Sequence, residues 1–204
     1  SHALTLSISR FPILLIPTPS MSAFFYGTLQ SETVLLRVLC GAEVPNETLA
    51  SKLKTLKLRP AVLKGYRRHA LKGLDYPGVV KSVSAESSVL GLLCEGLNRH
   101  DILRLDAFEG DVSLLNNWIK MVLLSTCTLT DFGGQEYDRV TVTVSTIGTT
   151  EYPAIETNIP TKVYLWTAGN EHLEDREWEL EKFIQGAQVQ WMSDRCEFKM
   201  VDQL

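Results

Sequence analysis

The chain has 204 residues, with 24 acidic and 20 basic side chains and a formal net charge of −4. Hydrophobic residues make up 45% and charged residues 22%, enough apolar surface to offset chain entropy, which excludes disorder as the dominant state. The acidic balance also argues against nucleic acid as a partner, because a nucleic-acid-binding surface carries a basic excess or stripe.

The first twenty residues, SHALTLSISRFPILLIPTPS, read as an appendage. Ile13–Ile16 is a short apolar run between Pro12 and Pro17, too brief for a secretory h-region. Ser1-His2 resembles a tag remnant, and Met21 is a plausible natural start. A single domain is expected over 21–204.

Ala23-Phe24-Phe25-Tyr26 is an aromatic, β-prone run that stops at Gly27-Thr28, the pattern of a buried strand ending in a turn. Ser31 is placed to cap a helix carrying Val34, Leu35, Val38 and Leu39 at helical spacing. Ala61-Val62-Leu63 predicts a strand running to Gly65, and Arg67–Leu74 begins another. Asp75-Tyr76-Pro77-Gly78 is a turn signal, after which Val79-Val80 reopens a strand. Val89–Glu95 reads as a buried strand. Asn98 with Asp101 three residues on predicts a capped helix, with Ile102, Leu105 and Phe108 on one face, ending near Glu109-Gly110. Tyr137–Val144 and Thr161–Trp166 alternate as strands. Leu173–Ile184, with Trp178, Leu180 and Phe183 between, predicts an amphipathic helix. The expected class is α+β, a small mixed or antiparallel β-barrel with flanking helices.

Cys40, Cys94, Cys127 and Cys196 are widely spaced and form no CxxC pair, which fits a reducing, cytoplasmic setting. His69, His100 and His172 do not join them at zinc-like spacing, so no metal is expected. No apolar run approaches the roughly 18 residues that suggest a membrane span. No phosphate loop, dinucleotide fingerprint, metalloprotease motif or catalytic triad is present. The chemistry left is that of a lone carboxylate. Glu109 sits at a predicted helix C-terminus, where an anion is mildly disfavoured. Placed among Leu105, Phe108 and the strands, it would be partly desolvated, and its pKa would rise toward the range of a general acid/base. The glycine turn after Tyr26 would expose backbone N–H groups suited to an oxyanion or carboxylate.

In chain order, the segments FFYGTL (Phe24–Leu29), GYRRH (Gly65–His69), DYPGVV (Asp75–Val80), VLGLLCEGLN (Val89–Asn98), LDAFEG (Leu105–Gly110), EYDRVTVTV (Glu136–Val144) and VYLW (Val163–Trp166) resemble the plant avirulence-induced branch of the gamma-glutamylcyclotransferase-like superfamily. The resemblance implies a small barrel with flanking helices. It also implies a cofactor-independent reaction that cleaves a γ-glutamyl amide by internal cyclisation, releasing 5-oxoproline and an amine. By that resemblance Glu109 is the catalytic glutamate. Tyr26, Gly27, Thr28 and Leu29 hold the glutamyl moiety, and Tyr76, Pro77, Gly78 and Tyr137 complete the substrate-binding set. The implied partner is a small-molecule γ-glutamyl substrate. Alternatives on the same fold are a catalytically silent binding or interaction protein, and a related amide-cleaving activity in a biosynthetic pathway.

One departure interrupts the pattern. Between Gly110-Asp111 and Glu136 the chain carries 24 additional residues, 112–135, and removing them gives LDAFEGDEYDRVTVTV. Val112-Ser113, Leu129-Thr130 and Gln135 can be encoded by splice-donor, branch-point and splice-acceptor sequences, which suggests a translated retained intron. A genuine insertion, with Leu114, Leu115, Trp118 and Ile119 forming a lid, is the rival expectation.

Overall fold

A computed structural model of the chain describes residues 21–109, 136–193 and 195–204. The expected appendage at 1–20 and the segment 112–135 lie outside the described residues. Seven strands and three helices of eight residues or more frame the site. They are β1 (Met21–Phe25), α1 (Glu32–Cys40), α2 (Asn46–Leu53), β2 (Lys57–Lys64), β3 (Tyr66–Ala70), β4 (Pro77–Lys81), β5 (Ser88–Leu97), α3 (Arg99–Phe108), β6 (Tyr137–Thr146) and β7 (Ile159–Trp166).

Five strands close a barrel in the order β1-β5-β2-β6-β7, and β3 pairs with β4 in a separate two-stranded sheet. The barrel is antiparallel except where β1 meets β7, with Ala23 opposite Lys162. This is the α+β barrel expected from the alternating strands.

Side-chain alternation along β1 divides the core. Phe24 and Tyr26 join Ala61, Leu63, Val89, Leu93, Val142, Val144 and Val163 in one cluster. Ala23 and Phe25 face the opposite way and pack with Val34, Leu35 and Val38 of α1 and Leu105 of α3 in the second. The barrel strands are therefore buried on both faces where helices cover them, and read as apolar runs there.

Helix boundaries follow local chemistry. Asn98 accepts from the Asp101 N–H at 2.9 Å while the Asp101 carboxylate accepts from the Asn98 N–H at 2.8 Å, completing the capping box that starts α3. Ser31 stands at the N-cap of α1, as expected, but its side chain makes no capping bond there. Gly41 ends α1 at φ 94°, a conformation that disfavours any residue with a Cβ.

Two expectations are corrected. Pro77 and Gly78 are not turn residues. They open β4, opposite Ala70 and His69, and a proline at the first position of a strand loses no ladder bond. The C-terminal helix does not start at Leu173. The stretch before residue 180 is captured by the free edge of β3: Lys72 N–H donates to the His172 carbonyl at 2.9 Å, Glu174 N–H to Ala70 at 2.8 Å, and Ala70 N–H to Arg176 at 2.8 Å. An unpaired strand edge has its own donors and acceptors to satisfy, and this outweighs the helical periodicity of the apolar side chains. Helical structure starts at Leu180–Lys182 and continues through a π-turn, Phe183–Ala187, into Gln188–Ser193. No helix among the described residues is long and apolar enough to cross a membrane.

Gly91 of β5 lies where β1 crosses most closely. A Cβ there would meet the Phe25 carbonyl oxygen and come within 2.6 Å of the Phe24 ring. Gly91→Ala is therefore expected to lower unfolding free energy by about 1–3 kcal/mol, the usual cost of forcing extra volume into a packed core, measured by urea denaturation.

Candidate active site

The site lies where the end of β1, the start of β4, the C-terminus of α3 and strands β6 and β7 converge. Two glycines mark the crossing. A Cβ on Gly27 would stand 2.9 Å from Pro77 Cγ, and a Cβ on Gly78 would stand 3.0 Å from Trp166 Cβ and Cγ. Only hydrogen at these positions lets the turn after β1 lie on the Pro77 ring, and lets β4 lie on β7. Gly27 leads into a single 3₁₀ turn, Thr28–Gln30, closed by bonds from the Gln30 and Ser31 N–H groups at 3.0 Å each. The N–H groups of Gly27, Thr28 and Leu29 are not spent on that closure. The Thr28 and Leu29 side chains are buried, so they would reach a ligand through the backbone.

Glu109 follows directly on α3, whose last residue is Phe108. It stands three residues after Asp106, so both carboxylates lie on one helical face. Asp106 is buried, accepts the Tyr164 hydroxyl at 2.9 Å and pairs with Arg139 at 3.2 Å. Among the described residues Glu109 forms no ion pair. Burial of its carboxyl, then the charges of Glu136 and Asp106, push its pKa up to about 8.

Four tyrosines lie within electrostatic reach of this carboxylate. Burial, joined in every case by the charge of Glu109, holds the phenols of Tyr26, Tyr76, Tyr137 and Tyr164 above their ordinary range. All four therefore stay protonated at neutral pH, and each proton is already committed. Tyr26 donates to the Tyr164 carbonyl at 2.5 Å, Tyr137 to the Pro77 carbonyl at 2.8 Å, Tyr76 to Glu136 at 3.1 Å and Tyr164 to Asp106. What the phenols offer an incoming molecule is lone pairs, which suit an amine. Donors for an anionic oxygen would have to come from elsewhere, and the backbone N–H groups of Gly27, Thr28 and Leu29 are not used in closing the 3₁₀ turn.

The residues expected from sequence are thus brought together. Tyr26, Tyr76 and Tyr137 lie within electrostatic reach of Glu109, while Gly27 touches Pro77 and Gly78 abuts Trp166. Sequence reasoning did not single out Asp106, Glu136, Arg139 or Tyr164. The signals were present: Asp106 at helical spacing from Glu109, and Tyr137 with Arg139 two apart on one face of β6.

A model of the family "Gamma-glutamyl cyclotransferase, AIG2-like" matches residues 23–180. The chain belongs to this family. Protein AIG2 C of Arabidopsis thaliana is 28% identical over 164 residues, covering 80% of this chain and 72% of that protein. Among solved structures, an Arabidopsis thaliana protein determined in solution has a TM-score of 0.48 at 21% identity, covering 85% of this chain and 78% of that one. A mouse AIG2-like crystal structure has a TM-score of 0.44 at 15% identity, covering 78% and 88%. The matched span of the AIG2-like family contains every residue of the cluster, from Tyr26 to Trp166.

The raised pKa of Glu109 has a thermodynamic consequence. Between pH 4.5 and about 8 an unfolded chain releases this proton while the folded one keeps it. The folded state is then progressively disfavoured as pH rises through that window, and the loss is complete above it. Glu109→Gln removes this penalty. Urea denaturation at pH 5 and pH 8.5 is expected to show the variant gaining at least about 1.4 kcal/mol on the wild type across the window, the value of one pKa unit. Parallel behaviour at the two pH values would show that the carboxyl titrates normally.

Proposed function

We propose that this AIG2-like protein is a γ-glutamyl cyclotransferase that releases 5-oxoproline and an amine from a small γ-glutamyl compound. The observation that carries the reading is the near-neutral Glu109 carboxyl among tyrosines whose protons are already committed.

The substrate holds its own nucleophile, the α-amine, so the protein needs to supply none. Its first task is to fold the glutamyl chain so that the amine faces the γ-carbonyl. Such positioning reaches effective molarities of about 10⁵ M or more. The phenol oxygens of Tyr26, Tyr76 and Tyr137 can accept from the amine and orient it. Glu109 takes a proton from the nitrogen as it attacks, then delivers one to the leaving nitrogen as the γ-amide C–N bond breaks. A carboxyl with a pKa of about 8 can do both near neutral pH, a role worth about 10²–10⁴-fold. The N–H groups of Gly27, Thr28 and Leu29, which do not close the 3₁₀ turn, suit the substrate carboxylate or the oxyanion that develops on the γ-oxygen. Asp106, paired with Arg139 and Tyr164, keeps α3 seated against the barrel and raises the basicity of Glu109 by its charge. The reading needs no metal or cofactor.

A panel of γ-glutamyl amines and peptides, assayed for 5-oxoproline by mass spectrometry, identifies the leaving amine. With the best of them, Glu109→Gln is expected to lower kcat at least 100-fold. In the wild type, kcat/KM rises with pH up to about 8 as Glu109 ionises. A variant that keeps full activity would remove Glu109 from the chemistry.

The segment 112–135 is, on this reading, dispensable. Glu109 and Glu136, the described residues on either side of it, lie close enough for their charges to oppose one another. Deletion of 112–135, joining Asp111 to Glu136, is expected to preserve cooperative unfolding and to keep or raise turnover. An insoluble or inactive deletion variant would make the segment part of the working protein.

A further inference from the structure

The cyclisation leaves one element of the cluster without a task. Arg68, in β3, holds the turn after β1 from behind. Its Nη1 donates to the Tyr26 carbonyl at 2.8 Å and to the Leu90 carbonyl at 3.3 Å. Nη2 donates to Glu177 at 2.8 Å, and the guanidinium carbon lies 5.8 Å from the centre of the Trp178 ring. Trp178 is itself fixed, its indole N–H donating to the Asp75 carbonyl at 2.7 Å. The guanidinium side chain is only 12% exposed, so its orientation is set by these partners rather than by solvent.

The bond to Tyr26 has a directional consequence. No described peptide bond is cis, and across a trans peptide the carbonyl and the following N–H point to opposite sides. Holding the Tyr26 oxygen toward Arg68 turns the Gly27 N–H away from it, and that N–H takes no part in closing the 3₁₀ turn. A charged donor on the carbonyl also polarises the amide and strengthens its N–H as a donor on the far side. Lysine could not replace this geometry, because one ammonium group cannot bridge Tyr26 and Glu177 with a planar fork.

We propose that Arg68 is a positioning residue of the glutamyl-binding turn: it clamps and polarises the Tyr26–Gly27 peptide so that the Gly27 N–H faces the α-carboxylate of the γ-glutamyl compound. The inference rests on the function proposed above and extends it to a residue that does not touch substrate. An interaction made equally with bound substrate and with transition state appears in KM rather than in kcat.

The test uses γ-glutamyl-p-nitroanilide as substrate, with 5-oxoproline and its carboxamide as competing ligands. In the wild type, 5-oxoproline is expected to bind at least ten-fold more tightly than the uncharged carboxamide. Arg68→Met raises KM about ten-fold or more, changes kcat less than three-fold and abolishes the preference for the acid. Arg68→Lys falls between. A correctly folded Arg68→Met that keeps both KM and the preference overturns the proposal, since a merely structural role would not alter the ratio between two ligands. The wild type provides a second readout that does not depend on the variant folding. In a nitrogen–proton correlation spectrum, the Gly27 amide is expected to move downfield on addition of 5-oxoproline and much less with the carboxamide. An unmoved Gly27 amide in the presence of bound 5-oxoproline overturns the proposal as well. Absence of 5-oxoproline release by the wild type, with the Gly27 shift intact, would instead overturn the cyclotransferase reading and leave Arg68 in its role.

Discussion

A carboxyl that burial keeps protonated, Glu109, is the centre on which the candidate site depends. Glu109 stands at the end of α3, within electrostatic reach of Asp106, Glu136 and four tyrosines. Of the three carboxylates, Asp106 has Arg139 and Tyr164, and Glu136 has Tyr76. Burial and like charge therefore act on Glu109 and keep its proton bound up to about pH 8. Such an arrangement costs stability, and proteins keep such groups mainly where chemistry requires a carboxyl poised near neutral pH.

The barrel makes this possible by bringing distant segments to one mouth. Tyr26 leaves β1, Pro77 opens β4, Tyr137 opens β6 and Tyr164 sits in β7, whereas Glu109 ends a helix. Close backbone approach is the condition for the assembly. Pro77 rests where a side chain on Gly27 would be, and Trp166 rests where one on Gly78 would be. Hydrogen bonds then cross the same gaps: the Tyr137 hydroxyl to the Pro77 carbonyl, and the Tyr26 hydroxyl to the Tyr164 carbonyl. Since each phenol proton is used inside the protein, what the tyrosines would present to an amine is acceptor lone pairs. The turn at Gly27, whose Tyr26 carbonyl is held by Arg68, would be the donor surface for an anion. On the proposed function, these would meet the amine and the carboxylate at the head of a γ-glutamyl group.

The outer shell holds these parts in register. Arg68 ties the β1 turn to Glu177 and Trp178, and Trp178 ties that segment to Asp75, one residue before Tyr76. The segment around residues 172–176 closes the edge of β3. The region between the barrel and the C-terminal helical turns is therefore part of the support of the turn after β1 and of the segment before Tyr76.

The sequence alone determined what depends on neighbours along the chain. Alternation set the strands Tyr137–Val144 and Thr161–Trp166, and the Asn98–Asp101 pair set the start of α3, because period and capping act over a few residues. The ordered motifs also named Glu109 and the Tyr26–Leu29 turn. What only tertiary structure decided was everything that depends on residues far apart in the chain. Pro77-Gly78 became a strand because β3 lay beside it, and Leu173–Glu179 left the helix because that same strand offered an unpaired edge. Asp106, Arg139 and Tyr164 form one network only after the barrel closes, and Glu109 acquires its high pKa only when Glu136 and Asp106 stand near it in a dry place. Desolvation and charge act through space, and no local pattern of residues encodes that distance.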